Sequence, residues 1–428
     1  MFTTKRSKNS SIPFYPKIIL VNNWGFNLKK ILLLSILILF LLFQNTITAC
    51  TGLTYTQENT ILVGSNEDWY DYDFWVRTLP VTEGKHGRII IENHWPLSID
   101  PDWHCPQCGL NDQGLFYDCF ATPRLTPTNS QHKPSYYDSS DHYQYSLESY
   151  ALSVCSTIEE VIQVYDTYNL EHMATYQVFW VDNTGDSIII EGDDIIHKQG
   201  DYQVVTNFYQ SHPQLGGYPC WRYETAVAML EDLPDLTIPY FAEICDATHQ
   251  TGFYPSVYST IADLKEQTLT LYYFYNYNNP VTINLKQELQ QGEHVYFLKD
   301  LFESTNNQAP LKPSIPTGPT QGRTRRTYTY TTQTTDPDND TILYQFDWGD
   351  GTISDWLQAR DNHGEASYQW IREGDFQIRV RAKDVFNHES PWSDPLQVTI
   401  PKHKTINKPI ITLLQKIIEI LPILQSLY

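Results

Sequence analysis

A largely apolar run of thirteen residues, 31–43, ends shortly before a cysteine and divides the chain into a leader and a mature part. Two lysines precede the run, and a short polar stretch after it closes at Ala49. Thirteen residues are too few to cross a bilayer core of about 30 Å, but they suit the apolar region of a secretory signal peptide. The pattern predicts a signal peptide over 1–49 and cleavage after Ala49, which would make Cys50 the first residue of the mature protein.

A cysteine at the N-terminus carries a thiol and a free α-amino group on one residue. The α-amine has a pKa of about 7.7–8 and the thiol one of about 8.5, so a nucleophile lies beside a base that is partly unprotonated near neutral pH. Acyl transfer requires this pair, and the pattern predicts an N-terminal-nucleophile (Ntn) hydrolase. Two alternatives stay open, an uncleaved signal anchor and a lipobox over 47–50, and either one would block the amine.

The charge balance restricts the class of partner. The leader holds six of the 29 Lys and Arg residues and none of the 50 Asp and Glu residues, which leaves 23 basic against 50 acidic residues and a formal net charge of −27. Such an acidic surface keeps an exported protein soluble and repels nucleic acid and anionic membranes. The charge therefore excludes nucleic-acid binding and, with the leader, predicts an extracytoplasmic protein that is secreted or associated with the cell surface.

The other six cysteines are an even number, which allows up to three disulfides outside the cell. Cys105 and Cys108 form a CxxC pair next to His104, but the sequence shows no second ligand pair for a zinc or redox site. We therefore expect local disulfides or buried thiols, with no metal and no cofactor. These six residues are Cys105, Cys108, Cys119, Cys155, Cys220 and Cys245.

The mature part divides into two predicted domains. Residues 50–309 interleave helical and hairpin patterns without a regular βαβ rhythm, which indicates α+β layers. The proline-rich segment 310–322 is predicted to be a linker. Short strands separated by turns over 323–401 predict a small β-sandwich. The tail, 402–428, has an apolar amphipathic pattern that suits a membrane surface, a partner or packing on its own domain.

Local patterns predict individual elements within these domains. Apolar residues at helical spacing predict helices, and alternating runs bounded by turn residues predict strands. The predicted helices are 159–165 and 222–233, and the predicted strands are 178–180, 187–191, 202–205, 268–275, 281–285, 326–332, 342–348, 376–382 and 396–400.

Two acidic motifs mark the C-terminal domain. Residues 346–351 read Phe-Asp-Trp-Gly-Asp-Gly, which resembles the signature of PKD domains, immunoglobulin-like modules of extracellular proteins. Residues 336–340 read Asp-Pro-Asp-Asn-Asp, which indicates a solvated turn or, alternatively, a calcium site. The resemblance implies an immunoglobulin-like sandwich that serves as a spacer or adhesion module.

Six motifs in the first domain follow one another in an order known from one family. They are Cys50-Thr51-Gly52, Gly64-x-Asn66-x-Asp68-Trp69, Gly109-x-Asn111-x-x-Gly114-Leu115, the hairpin 180–191, Thr206-Asn207 and Arg222. In this order they resemble the choloylglycine hydrolase family, which includes penicillin V acylases and conjugated bile acid hydrolases. The resemblance implies a four-layer αββα Ntn-hydrolase domain, followed here by the small all-β sandwich. It also implies the cleavage of linear, non-peptide amide bonds.

The resemblance assigns roles to four residues. The Cys50 thiol would attack the amide carbonyl, with its own α-amine as the base. Asp68 would hydrogen-bond and orient that amine, as a triad acid orients its histidine. Asn207 would donate an N–H to the amine or the oxyanion. Arg222 would supply a positive charge that lowers the pKa of the thiol.

The chain departs from the family pattern at two positions. Ser65 stands where bile acid hydrolases have an arginine, and Ala121 stands where they have a second catalytic asparagine. Loss of one oxyanion donor costs about 2.7–4 kcal/mol, so the backbone N–H of Ala121 or the hydroxyl of Thr122 is the expected replacement. Trp69 opens an aromatic run that suits an apolar acyl group, while Asn111 is expected to shape its turn.

The sequence thus predicts an extracytoplasmic hydrolase of linear amides whose partner is a small N-acyl amide. A dipeptidase of the related Ntn peptidase group is one alternative. A surface-binding or structural protein that has kept the scaffold without the chemistry is another, because of Ser65 and Ala121. Association with a membrane through the leader or the tail is left open.

Overall fold

The computed structural model describes residues 50–401 except 71, 95–103, 140–141, 253, 305 and 360–362. The predicted signal peptide and the amphipathic tail lie outside these residues. Within them, no helix has both the length and the apolarity to cross a membrane. The regular elements up to residue 297 are β1 (Thr51–Gln57), β2 (Thr60–Asp68), β3 (Phe74–Leu79), β4 (Arg88–His94), β5 (His104–Asn111), β6 (Phe116–Ala121), α1 (Leu147–Val154), α2 (Ile158–Thr167), β7 (Tyr176–Val181), β8 (Ser187–Glu191), β9 (Asp194–His197), β10 (Tyr202–Val205), α3 (Trp221–Glu231), α4 (Ile238–Thr248), β11 (Ser256–Asp263), β12 (Thr268–Tyr273), β13 (Val281–Asn284), α5 (Leu285–Leu289) and β14 (His294–Phe297).

Two antiparallel sheets form the first domain. One has the strand order β10-β1-β2-β11-β12-β13, and the other has the order β14-β3-β4-β5-β6-β7-β8-β9. A single apolar cluster contains side chains of both sheets, such as Val63 of β2, Ile91 of β4 and Val181 of β7. The sheets therefore share one core, and Cys50 belongs to the same cluster.

Helices cover each sheet through further apolar clusters. Leu152 of α1 and Val161 of α2 pack with residues of the eight-stranded sheet, and Phe241 of α4 packs with residues of the six-stranded sheet. The start of α2 is fixed by a capping box, in which Thr157 and Glu160 each bond the other's backbone N–H.

The predicted elements are confirmed where the described residues contain them. The helix predicted at 159–165 is α2 and the one at 222–233 is α3, each with slightly different ends. The strands predicted in the first domain correspond to β7, β8, β10, β12 and β13.

The C-terminal domain is a β-sandwich in which the aromatic residues of the predicted motif are buried. Its sheets have the orders β15-β18 and β17-β16-β19-β20, and Trp348 stacks on Phe346 with ring centroids 5.3 Å apart. The predicted sandwich strands are confirmed within one or two residues at most ends. The strands are β15 (Tyr328–Gln333), β16 (Ile342–Asp347), β17 (Leu357–Gln358), β18 (His363–Tyr368), β19 (Gly374–Asp384) and β20 (Leu396–Ile400).

The segment 310–322, predicted to be a linker, is instead bonded to the sandwich. The backbone N–H of Leu311 donates to the carbonyl of Thr335 at 2.9 Å, and that of Ser314 donates to Gln333 at 3.0 Å. Proline-rich composition indicates extended backbone but does not tell whether the backbone finds a partner.

The sandwich contacts the first domain directly. The ring of Phe386 lies 5.9 Å from that of Tyr273. Gln358 accepts a hydrogen bond from the backbone N–H of Gly252 at 2.8 Å and donates one to the Tyr275 hydroxyl. The loop that contains Gly252 is therefore held by both domains.

The acidic turn at 336–340 is organised by its first residue. Oδ1 of Asp336 accepts hydrogen bonds from the backbone N–H groups of Asp338 and Asp340, at 2.8 and 3.1 Å. The three carboxylates each have an oxygen within 4.8 Å of the others. The bonds describe an Asx-type turn, which agrees with the turn interpretation and leaves the calcium alternative open.

All seven cysteines are described, and all are free thiols. Of the two predicted states, buried thiols and disulfides, the structure has thiols, five of them in buried residues and two, Cys105 and Cys119, partly exposed.

Two glycines of the PKD-like motif allow a matched test of the sandwich. Both have positive φ, but a Cβ on Gly349 would lie 2.5 Å from the backbone nitrogen of Gln377, whereas a Cβ on Gly351 would meet nothing within 4 Å. We expect Gly351→Ala to lower the free energy of unfolding by about 1–2 kcal/mol, the cost of a Cβ on a left-handed backbone. Gly349→Ala should lower it clearly more, because its Cβ would also meet the backbone of Gln377. Calorimetric unfolding of both variants checks this, and equal losses of Tm would contradict it.

Candidate active site

Cys50 lies at the start of β1 and faces a cavity of about 560 Å³ between elements of the first domain. The residue is only 3% exposed. Its Sγ donates to Oε2 of Glu67 at 3.6 Å and accepts a hydrogen bond from the backbone N–H of Asp68. The thiol is therefore buried, hydrogen-bonded and still open to the cavity.

Arg222 connects the predicted site residues. Its guanidinium donates to the carbonyl oxygen of Cys50, to Oγ1 of Thr51 at 3.0 Å and to Oδ1 of Asn207 at 3.1 Å. It also lies 3.8 Å from Oδ2 of Asp68. The first turn of α3 positions Arg222, since that helix begins at residue 221. The structure thus brings Cys50, Asp68, Asn207 and Arg222 together.

Asp68 is the last residue of β2 and is fully buried. In addition to its ion pair with Arg222, Asp68 accepts hydrogen bonds from Nε2 of Gln250 at 2.7 Å and from the hydroxyl of Ser256. Burial raises the pKa of Asp68 to about 7, although Arg222 and the two hydrogen bonds oppose the shift. The loop that supplies these partners also contains Gly252, so the sandwich, through Gln358, supports the segment that holds Asp68.

Asn207 is joined to the site through Arg222 and uses its amide within the protein. Nδ2 donates to the carbonyl oxygen of Ala121 at 2.8 Å, while Oδ1 accepts from Arg222. One of the two N–H groups of the Asn207 amide is therefore engaged by the Ala121 carbonyl and is not free to bond an oxyanion.

The environment of Cys50 is more acidic than the sequence indicated. Burial raises the pKa of the thiol well above its ordinary value, and the carboxyl groups of Glu67, Asp68 and Asp118 raise it further wherever they are ionised. Despite the nearby guanidinium of Arg222, which contacts the Cys50 carbonyl oxygen, the pKa of the thiol is raised and not lowered. The resting nucleophile is a neutral thiol.

Glu67 was missed at the sequence level, although a signal for it exists. The β1–β2 hairpin pairs Gln57 with Thr60 and Thr51 with Asn66. One further step in this register sets Cys50 opposite Glu67. Because side chains alternate along a strand, Glu67 and Asp68 have different surroundings, and of the two only Glu67 is among the described residues that line the cavity.

Asp118 extends this group of carboxyls. It accepts hydrogen bonds from the Ser65 hydroxyl and, at 2.8 Å, from the backbone N–H of Cys119. Burial raises the pKa of Asp118 to about 7, against these two bonds. Ser65, which stands where the family has arginine, therefore serves as a hydrogen-bond donor to a buried carboxylate.

The other predicted site residues do not all line the cavity. Trp69 and Ala121 border the cavity, whereas Thr122 is not among the described residues that line it. The backbone N–H of Thr122 is bonded to the carbonyl of Thr175 at 2.9 Å. Asn111 shapes its turn as expected, since its Oδ1 accepts from the backbone N–H groups of Gln113 and Leu115.

The far wall of the cavity holds an ion pair. Oε1 of Glu148 accepts from the Tyr176 hydroxyl at 2.9 Å and lies 3.6 Å from Nε2 of His172. Burial alone would raise the pKa of Glu148, but His172 outweighs it and the pKa is lowered. Burial would lower the pKa of His172, but the contact with Glu148 prevails and the pKa is raised. Tyr143 and Tyr145 line the same cavity.

Comparisons with known proteins concern the sandwich. No family model and no curated protein matches the chain. Among solved structures, the chain is similar to the PKD domain of an M14-like peptidase from Thermoplasmatales archaeon SCGC AB-540-F20, with 40% identity over 22% of this chain and 99% of that one, at a TM-score of 0.20. It is also similar to a CARDB domain from Pyrococcus furiosus in complex with di-metal ions, with 10% identity over 23% of this chain and 95% of that one, at a TM-score of 0.17. The C-terminal part of the chain is an immunoglobulin-like, PKD-like domain.

The raised pKa of Asp68 predicts a pH dependence of stability. Between about pH 4 and pH 7 the folded protein keeps a proton on Asp68 that the unfolded chain has released, so the free energy of unfolding falls as pH rises. Asp68→Asn should make this slope shallower, by up to about 1 kcal/mol per pH unit.

Denaturant unfolding at a series of pH values measures both slopes. Exposed Asp235→Asn serves as the control and should leave the slope as it is in the unmodified protein. Identical slopes for Asp68→Asn and the unmodified protein would contradict the assignment.

Proposed function

We propose that the chain is an N-terminal cysteine hydrolase that cleaves linear amide bonds of N-acyl substrates through an acyl-enzyme at Cys50. The observation that carries the proposal is the set of contacts around Arg222, which hydrogen-bonds Cys50 and Asn207 and forms an ion pair with Asp68. These are the residues for which the sequence resembles choloylglycine hydrolases. Independent motifs that meet in one buried site support a shared chemical role.

The charge around Cys50 supports removal of the leader. Three buried carboxyl groups, those of Glu67, Asp68 and Asp118, act on the thiol, and Arg222 is the cation that contacts one of them. Burial of negative charge is costly unless a positive group compensates it. Cleavage after Ala49 would add an α-amino group at this point, and the ammonium that forms when this amine takes the thiol proton would supply that compensation.

The fold of the first domain is consistent with the proposal. Two sheets share one core, and helices pack on each through separate clusters. This arrangement supports the four-layer αββα architecture that the family resemblance implies.

The mechanism follows from the proposed N-terminus. The α-amine of Cys50 takes the thiol proton while Sγ attacks the substrate carbonyl, and the resulting ammonium returns the proton to the departing amine. Because the resting thiol is neutral, this proton transfer accompanies the attack. Asp68, held by Ser256 and Gln250, orients the amine. Water then hydrolyses the thioester with the same amine as base.

The cavity supports a small N-acyl substrate. Its volume of about 560 Å³ is within the range of small-molecule sites. Trp69, Tyr143 and Tyr145 contribute aromatic walls, which suit an apolar acyl group. We further propose an extracytoplasmic location, on the basis of the signal-peptide pattern and the acidic mature chain.

Substitution of the nucleophile tests the proposal. Cys50→Ala should abolish amine release from a panel of N-acyl amides, because no acyl-enzyme can form. Cys119→Ala is the matched control: Cys119 also lines the cavity but has no role in the mechanism, so activity should persist. Intact-mass measurement should show a substrate-derived acyl group on the unmodified protein and on Cys119→Ala only.

Other outcomes would point to the alternatives. Cleavage of free dipeptides without cleavage of N-acyl amides would favour an Ntn dipeptidase. A native Cys50 that forms no acyl adduct with any substrate would favour a surface-binding protein on an inactive scaffold.

A further inference from the structure

Glu67 is the buried carboxyl on the cavity side of the nucleophile, and the mechanism above leaves it unused. Only 3% of the residue is exposed. Its Oε2 lies 3.6 Å from Sγ of Cys50, and both residues line the same cavity. Any substrate carbonyl that reaches the sulfur must therefore come close to this carboxyl.

The proposed reaction needs a hydrogen-bond donor for the substrate carbonyl oxygen close to Sγ of Cys50. Attack on an amide turns the carbonyl oxygen into an oxyanion, and loss of one oxyanion donor slows such reactions by about 10²- to 10³-fold. Among the side chains expected to supply it, Ala121 has no donor, Asn207 has one of its two N–H groups on the Ala121 carbonyl, and Thr122 is not among the described residues that line the cavity.

The hydrogen bonds decide which carboxyl of the neighbouring pair keeps a proton. Asp118 accepts from the Ser65 hydroxyl and from the backbone N–H of Cys119, and both bonds favour its ionised form. Glu67 accepts only the weak S–H of Cys50 among the bonds of the described residues. Burial, and then the charges of Asp118 and Asp68, raise the pKa of Glu67 well above its ordinary value. The negative charge therefore belongs on Asp118 and the proton on Glu67.

We propose that Glu67 is a catalytic residue whose neutral carboxyl group donates a hydrogen bond to the substrate oxyanion. This inference rests on the proposed function and adds a residue to it. A protonated carboxyl that stays neutral in a dry site can act as an oxyanion donor. Glu67 would thus replace the asparagine that Ala121 lacks.

The step balances without a further reactant. The S–C bond forms as the thiol proton moves to the α-amine, and the carbonyl π electrons move to oxygen. The oxyanion then lies within about 3 Å of the sulfur, so a donor 3.6 Å from Sγ can reach it. Glu67 keeps its proton throughout, and collapse of the adduct expels the amine, which takes its proton from the α-ammonium.

Two substitutions separate this role from that of an ionised base. Glu67→Gln retains an N–H donor of the same length, so kcat/KM should stay within about tenfold of the unmodified enzyme. Glu67→Ala removes the donor and should lower kcat by about 10²- to 10³-fold. The unmodified enzyme should also lose activity at high pH, where Glu67 ionises, and Glu67→Gln should not show this loss.

Two results would overturn the proposal. If Glu67→Gln were as impaired as Glu67→Ala, the carboxylate would be needed as a base. If Glu67→Ala retained full activity, the residue would have no part in the reaction.

A spectroscopic measurement does not depend on turnover. Infrared spectra of the full-length protein at pH 7 should show the carbonyl band of a protonated carboxylic acid that Glu67→Gln lacks. Absence of this difference would contradict the proposal even in an active enzyme. If the protein shows the band but no acyl group ever forms on Cys50, the proposed function is contradicted and the neutral state of Glu67 is not.

Discussion

The site depends on one buried guanidinium. Arg222 bonds the carbonyl of Cys50, the side chain of Asn207 and the hydroxyl of Thr51, and it faces Asp68. These groups come from β1, from the segment after β10 and from the end of β2. A buried charge is tolerated only where polar groups surround it, so the position of α3 and the ends of both strands are coupled. The same contacts hold the backbone of Cys50 in place.

Two consecutive carboxyls at the end of β2 have different surroundings because strand side chains alternate. Asp68 is held by Arg222 and by a loop that the sandwich supports through Gln358. Glu67 borders the cavity and shares a buried environment with Asp118. Burial above all keeps the Cys50 thiol neutral, so the chemistry depends on a base that accepts its proton during the attack and on a donor for the resulting oxyanion.

Local signals predicted many of the elements well, while the site residues stay a prediction whose members the structure brings together. Alternating runs and turn residues identified β8 and β10, and motif order identified Cys50, Asp68 and Arg222. The rest depends on contacts that composition does not contain. The raised pKa of the thiol comes from burial and from Asp118, which lies far from Cys50 in sequence. The segment 310–322 has the composition of a linker, yet its backbone pairs with a strand of the sandwich.

The central claim is that Cys50 carries a free amine. Intact mass and N-terminal sequencing of the protein, isolated from the secreted and membrane fractions of its source organism, test this most directly. We predict a mature chain that begins at an unmodified Cys50 with a free α-amino group. A chain that retains residues before Cys50, or a lipid on its sulfur, would contradict the account.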